Sequence, residues 1–375
     1  MFGTRIELFR LFGIPIRLDV SWFIVAALVV WSLATGAFPY LHPGLAPATY
    51  WAMGAVGTIG LFASIVVHEF FHAMVARRNH IPMRGITLFI FGGVAEMGAE
   101  PRSAPAELRM AAAGPLASIA IALLGFWVSG VARGFWPAPI VVVIRYLAML
   151  NGVLAAFNLL PAFPLDGGRI FRAALWKWKG DLAWATRIAS RTGSGFSVAF
   201  MAAGTVAVLI GNLVSGMWWI LIGLFLRRAS TVSYQQVLLR QALEGEPVRR
   251  FMTADPVTVS PGVLLSELVE SYIYRYHHQL FPVVEDGWLV GCVTTRHVKS
   301  VPREEWPRRT VGSLAESCGP DNTIPPGADA LEAIALMKRT GQPRLMVVEE
   351  GRLVGIVTLK DLLEFFALKL ELEGP

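Results

Sequence analysis

Five stretches of this sequence, about residues 20–38, 51–76, 110–128, 138–163 and 195–226, are apolar over the length a helix needs to cross a lipid bilayer. Backbone polar groups in hydrocarbon must be satisfied within the chain, so stretches of this kind span as helices. The last stretch is too long for one span of about 20 residues. Gly211-Asn212 and Ser215-Gly216 supply a turn at its middle, which brings the expected count to six. With 54% hydrophobic and 16% charged residues, the chain is too apolar for an ordinary soluble enzyme. Residues 240–375 nevertheless read like soluble protein, so the expected fold class is a polytopic α-helical membrane protein with a soluble α/β appendage.

Charge gives each span a direction. Arg5, Arg10 and Arg17 precede the first span, and Arg77, Arg78, Arg84, Arg102 and Arg109 lie between the second and third. Arg169, Arg172, Lys177, Lys179, Arg187 and Arg191 lie between the fourth and fifth, and Arg227-Arg228 follow the sixth. The opposite connections, 39–50, 129–137 and 211–216, hold only Arg133, and Arg145 sits near the outer end of span four, where it can snorkel. Six spans with both termini in the cytosol therefore satisfy the positive-inside rule at every loop, and a cell membrane, the prokaryotic inner membrane, is the expected location. The same clustering accounts for the net charge of +6, so nucleic acid is not an expected partner. The first apolar run follows three arginines and has no small-residue cleavage site behind it, so no cleavable signal peptide is expected.

Residues 83–97 (MRGITLFIFGGVAEM) have too short an apolar core to span. Their β-branched and aromatic content, broken at Gly92-Gly93, predicts a membrane-associated β-hairpin with strands at 86–91 and 93–97. Beyond a connecting helix, two similar units follow, each with a polar lead-in, a helix, a strand, an acidic Gly turn and a strand ending in Gly-x-Val-Thr. A fixed order recurring about sixty residues apart is an internal duplication. The expected domains are a cytosolic N-terminal arm (1–18), a six-span domain (19–228), a linker helix (229–245) and two repeats (246–300 and 308–368). Cys292 and Cys318 lie in the polar part and read as free thiols of a reducing compartment.

Inside the second apolar stretch stands His68-Glu69-Phe70-Phe71-His72. Residues four apart share a helix face, so the two imidazoles form the ligand pair of a zinc peptidase. Ionisable groups are expensive at this depth and mark function. A catalytic zinc takes three protein ligands, and the candidate for the third is Asp166 in Asn158-Leu-Leu-Pro161-Ala-Phe-Pro164-Leu-Asp166-Gly167-Gly168. Span two runs inward and ends near Arg77, which places His72 roughly 8 Å and His68 roughly 14 Å from that end. Span four also runs inward and breaks at Pro161 and Pro164, so Asp166 reaches a similar depth. Glu69 is then placed to take a proton from an attacking water and deliver it to a leaving amine, and Asn158 to hydrogen-bond the substrate or oxyanion. The remaining histidines read as surface residues.

The motifs HEFFH and NLLPAFPLDGG, with the Ala-Gly114-Pro115 helix between them, resemble the site-two protease family of intramembrane zinc metalloproteases over about residues 1–228. The resemblance implies one Zn2+ per chain on His68, His72 and Asp166, with Glu69 as catalytic base and Asn158 as active-site amide. It also implies regulated intramembrane proteolysis of a single-span or membrane-tethered protein, such as an anti-sigma factor, a transcription factor precursor or a signal-peptide remnant. Residues 83–97, with Gly92, Gly93 and Val94 at their centre, resemble the family's β-segment, which pairs with an unwound substrate strand. The duplicated units resemble cystathionine-β-synthase (CBS) domains, which pair and often bind adenine nucleotides. In the second, Thr358 and Asp361 match the family's phosphate-binding and ribose-binding residues; in the first, Thr294 matches but His297 stands where Asp would be. A nucleotide site and a homodimerisation platform both remain open for the pair. Rival readings of the whole chain are a CBS-regulated transporter or channel and an inactive scaffold.

Overall fold

The computed structural model describes residues 5–89, 92–97 and 101–373. It divides into two compact units, Met1–Gln235 and Gln236–Pro375. The N-terminal strands are β1 (Arg5–Leu11) and β2 (Ile14–Asp19). Helices α1 (Ser21–Leu41) and α2 (Pro47–Arg78) follow, then β3 (Met83–Phe89) and β4 (Gly92–Met97). Next come α3 (Ala104–Val131), α4 (Ala138–Asn158), α5 (Asp166–Lys179), α6 (Leu182–Leu209) and α7 (Leu213–Leu243). Among the described residues six of these helices, all but α5, are long and apolar enough to cross a membrane. Their outward faces carry exposed Leu116, Leu123 and Trp127 on α3 and Val206 and Leu209 on α6, side chains for which lipid is a better solvent than water.

The span boundaries follow local breakers. The fifth apolar stretch splits at Ile210–Asn212, where Gly211 takes a φ of +90°. Helix α4 ends at Asn158, five residues before the end of the apolar run, because Pro161 and Pro164 cannot continue it. The linker expected at 229–245 is not a separate helix: α7 runs unbroken from Leu213 to Leu243, since no Gly or Pro interrupts residues 224–244.

The expected N-terminal arm is also replaced by regular structure. Residues 5–19 form an antiparallel hairpin whose second strand joins β3 in parallel, with Ile16 opposite Ile86, to give a four-stranded sheet in the order β1-β2-β3-β4. Parallel strands require a long crossover, here the pair α1–α2. Alternate residues Ile14, Ile16 and Leu18 of β2 are buried, and Ile14 and Ile16 pack with Ile86 against Phe70 and Ala73 of α2. Glu96 of β4 fastens the sheet through Arg5 at 2.8 Å and Thr87 at 3.0 Å. A second fastening holds α5 to α3. Glu107 (0% exposed) pairs with Arg172 (3% exposed), whose guanidinium also stacks 4.7 Å from the Phe163 ring centroid.

The C-terminal unit has strands β5 (Thr253–Ala254), β6 (Leu280–Glu285), β7 (Trp288–Thr294), β8 (Thr323–Ile324), β9 (Arg344–Glu349) and β10 (Arg352–Thr358). Its helices include α8 (Thr295–Lys299), α9 (Ala330–Thr340) and α10 (Leu359–Glu373). The repeats are visible as matched pairings: β8 runs parallel to β9, as Val259 bridges in parallel to Val283. Each repeat has its own core, but the lead-ins are exchanged. Leu243, Val248 and Phe251 pack into the second repeat's core and β5 pairs with β10, whereas Val311 packs into the first. The expected boundary at 246 therefore assigns to the first repeat a segment that packs in the second.

Removing one partner of a buried ion pair strands the other charge, which typically destabilises by about 3–5 kcal/mol. Glu107→Gln is expected to lower the thermal unfolding midpoint in detergent by that order of effect, while Glu107→Leu with Arg172→Met recovers most of the loss. An unchanged midpoint in Glu107→Gln would show that the pair does not hold α5.

Candidate metal centre

The three side chains singled out in the sequence converge. His68 and His72 lie one turn apart on the buried face of α2, and Asp166 is the first residue of α5. Asp166 Oδ2 is 3.2 Å from His68 Nε2 and 3.2 Å from His72 Nε2, and the two Nε2 atoms are 3.2 Å apart. Among the described residues these three form the group of His, Cys, Asp or Glu side chains close enough to share a metal ion.

Whether the donors fit zinc is decided by their protonation and spacing. His72 donates its Nδ1–H to the Met110 carbonyl at 2.7 Å; a carbonyl can only accept, so Nε2 keeps a bare lone pair. His68 places Nδ1 2.9 Å from Ser118 Oγ, a hydroxyl able to accept from Nδ1–H and leave Nε2 bare in the same way. Two lone pairs and a carboxylate oxygen are thus aimed at one another, an arrangement that repels unless a cation lies among them. Tetrahedral zinc with bonds of roughly 2.0–2.1 Å separates its ligand atoms by about 3.3 Å, close to the triangle found.

Glycine makes room for the group. A Cβ on Gly114 of α3 would stand 2.1 Å from His72 Nε2 and 2.6 Å from His68 Nε2. The Asp-Gly-Gly sequence has a related cause, since a Cβ on Gly167 would meet Leu159 O at 2.2 Å and one on Gly168 would meet Phe163 N at 2.3 Å. The first turn of α5 thereby presses on the 159–165 loop and brings Asp166 to the histidines. The sequence reading used Gly114 only as part of a resemblance; its contact role, the Ser118 and Met110 partners and the Glu107–Arg172 clamp have no signature in a single sequence.

Glu69 stays out of the triad. Its Oε2 accepts a hydrogen bond from the Ala95 N–H of β4 at 3.1 Å. Gly93 packs against the same side chain, since a Cβ there would lie 2.9 Å from Glu69 Cγ. Strand β4 ends the order of the sheet, so its outer backbone edge, with the Ala95 N–H, faces the glutamate. Gly92, Gly93 and Val94 lie on this strand, with Val94 40% exposed; residues 90 and 91 of the expected first strand lie outside the described residues. Asn158 is the last residue of α4, half-buried, with no hydrogen-bond partner among the described residues.

In the C-terminal unit, Thr358 and Asp361 cap α10 reciprocally: Thr358 N–H donates to Asp361 Oδ2 at 2.9 Å, and Asp361 N–H to Thr358 Oγ1 at 3.2 Å. Thr294 and His297 cap α8 in the same way, and His297 Nε2 lies 3.2 Å from Glu316 Oε1.

Comparison with known proteins agrees with both halves. The family model for peptidase family M50 matches residues 56–136 and 133–201, and the CBS domain model matches 248–304 and 318–368. The chain is 34% identical over 362 residues to the putative zinc metalloprotease Rip3 of Mycobacterium tuberculosis, covering 95% of this chain and 91% of that one. It is 31% identical to the zinc metalloprotease MJ0392 of Methanocaldococcus jannaschii, with 97% and 96% covered. A solved site-2 protease from Methanocaldococcus jannaschii aligns with 31% identity over 61% of this chain and 94% of that one, at a TM-score of 0.42. A triad of metal-capable side chains buried between apolar helices, together with relatives of this name along nearly the whole sequence, places the chain in peptidase family M50, the site-2 protease family, with a C-terminal pair of CBS domains.

Proposed function

We propose that this protein is an intramembrane zinc endopeptidase that cuts single-span or membrane-tethered proteins. The observation that carries the reading is the convergence of His68, His72 and Asp166 at mutual distances of 3.2 Å between membrane-length helices. These three residues would hold one Zn2+. When bound there, zinc supplies Lewis-acid polarisation of the scissile carbonyl and of the attacking water.

The chain's own residues supply the rest. Glu69 accepts the proton of the attacking water and returns it to the leaving amine, and its place beside rather than within the triad keeps its carboxylate from being a metal ligand. Asn158, unpartnered at the end of α4, offers an amide N–H to the substrate carbonyl or the developing oxyanion. A peptide bond inside a helix is shielded, so the substrate must be drawn out as a strand. Strand β4 offers it an edge on the side of Glu69, where an added strand competes for the Ala95 N–H that now holds the carboxylate. Substrate pairing would in this way release the base it needs.

Substrates of the anti-sigma factor, transcription factor precursor or signal-peptide type suit a site at this depth, with both termini in the cytosol as the loop charges require. The CBS pair serves regulation, through homodimerisation or an adenine nucleotide at Thr358 and Asp361. The asymmetry of the caps supports a single nucleotide site: the Thr358 hydroxyl keeps a proton to donate and Asp361 a second oxygen, whereas His297 is engaged by Glu316.

Four variants test the reading on protein reconstituted in lipid. Gly114→Ala puts a methyl group against both Nε2 atoms and is expected to abolish metal retention and cleavage together; Ser118→Ala, which removes only an outer partner, should weaken metal binding by about 10–100-fold. Near-stoichiometric zinc in Gly114→Ala would displace the metal from this site. Glu69→Gln should retain zinc yet slow single-turnover cleavage of a tethered substrate by about 10²–10⁴-fold. Wild-type turnover in that variant would remove Glu69 from the proton transfer. Ala95→Pro deletes the edge N–H and is expected to reduce cleavage by at least roughly tenfold with zinc content unchanged. Normal cleavage by an inserted Ala95→Pro protein would exclude strand addition at this residue.

A further inference from the structure

Helix α2 has two faces with different occupants. His68 and His72 lie on one, whereas Phe70, Met74, Arg77 and Arg78, spaced by four, three and one, share the opposite one. There the helix meets the tip of the β1–β2 hairpin. The ring centroids of Phe12 and Phe70 are 5.7 Å apart, and Arg77 donates from Nη1 to the Phe12 carbonyl at 2.6 Å. These residues enclose an open cavity of about 740 Å³, lined by Phe12, Ile14, Phe70, Met74, Arg77 and Arg78. Its lining changes along the helix, from apolar at Phe70 to cationic at Arg77, roughly 10 Å further on at the rise of an α-helix. Both guanidinium side chains are exposed. They close a helix of membrane length, so they stand at headgroup level with Phe70 and Met74 on the hydrocarbon side. The hairpin tip adds a second observation. Leu11 pairs with Ile14 across a two-residue turn, and φ is +49° at Phe12 and +81° at Gly13. Asn-Gly ordinarily supplies that geometry, and a bulky aromatic residue at positive φ is strained. Phe12 is nonetheless 76% exposed, so burial within the protein does not compensate it.

We infer that this cavity binds an anionic glycerophospholipid of the bilayer, with its phosphate on Arg77 and Arg78, one acyl chain against Phe70 and Met74, and the Phe12 ring over that chain. Charge selects the headgroup: two guanidiniums are matched by a lipid of net negative charge, whereas a zwitterionic lipid brings a cation of its own to the same rim. Shape selects a lipid over a free phosphate, which would leave the apolar half of the cavity unfilled. The bound lipid ties the hairpin tip to α2. Through β2 and β3 it thereby seats the four-stranded sheet at headgroup level.

The test uses the full-length protein in phosphatidylcholine vesicles doped with phosphatidylglycerol or phosphatidylcholine that carries a photoactivatable diazirine in one acyl chain. After illumination and digestion, mass spectrometry locates the adducts. The phosphatidylglycerol probe is expected to label the peptides holding Phe12 and Phe70 to Met74 at least about fivefold more than the phosphatidylcholine probe. Unlabelled phosphatidylglycerol should compete, and glycerol phosphate should not. Arg78→Gln, at an exposed helix end, should lower the preference by about fivefold, the weight of one arginine near an anionic surface. Met74→Trp, which fills the apolar half, should remove the labelling by both probes. If Met74→Trp does not insert, the Arg78→Gln comparison decides alone. Equal labelling by the two probes, an unchanged preference in Arg78→Gln, or displacement by glycerol phosphate would overturn the assignment.

Discussion

Three lone-pair donors held 3.2 Å apart between apolar helices are an unfavourable arrangement by themselves, and much of the membrane unit can be read as the means of enforcing it. Each imidazole is oriented through its far nitrogen, one by a helix carbonyl and one by a hydroxyl, so that both Nε2 atoms point to Asp166. The carboxylate is brought in from a different helix, whose first turn has two glycines behind the aspartate and sits on the backbone of the preceding loop. Glu107 and Arg172 then prevent that helix from moving away, at the expense of burying two charges.

The same enforcement reaches the sheet. Glu69 belongs to the helix that carries both histidines, yet its carboxylate is tied to the strand edge rather than to the triad. The position of strand β4 and that of the Glu69 carboxylate are therefore coupled, and in the proposed mechanism a substrate that pairs with β4 perturbs the glutamate by the act of binding.

Much of this was legible in the sequence because membrane insertion leaves strong signals. Hydrophobic length and arginine placement are one-dimensional, so six spans and the split at Gly211 could be read directly. The convergence of His68, His72 and Asp166 was legible for a different reason: helical rise converts residue number into depth, and two spans expected to run in the same direction reach a similar depth. What escaped notice depends on contacts between segments. The β1–β2 hairpin looks like a polar arm until its partner β3 is known, and Gly114 looks like any small residue of a membrane helix. The exchanged lead-ins of the CBS pair are invisible in a repeat alignment, since each stands at the start of the unit it precedes in sequence rather than of the one it packs on.

The parallel pairing of β2 with β3 also carries information about insertion. These strands are hydrogen-bonded neighbours, yet α1 and α2 lie between them in the chain. Strands that share a ladder must lie on one side of the bilayer, so the crossings between them have to be even in number. The fold thus contains a parity check that owes nothing to arginines. If α1 failed to insert while α2 did, β2 would be stranded on the opposite face from β3, and Phe70 and Ala73 of α2 would lose the sheet that covers them. Assembly of the sheet can begin only after both helices are in place and residues 83–89 have left the ribosome, which makes the ladder a record that the first hairpin of the membrane domain was threaded correctly.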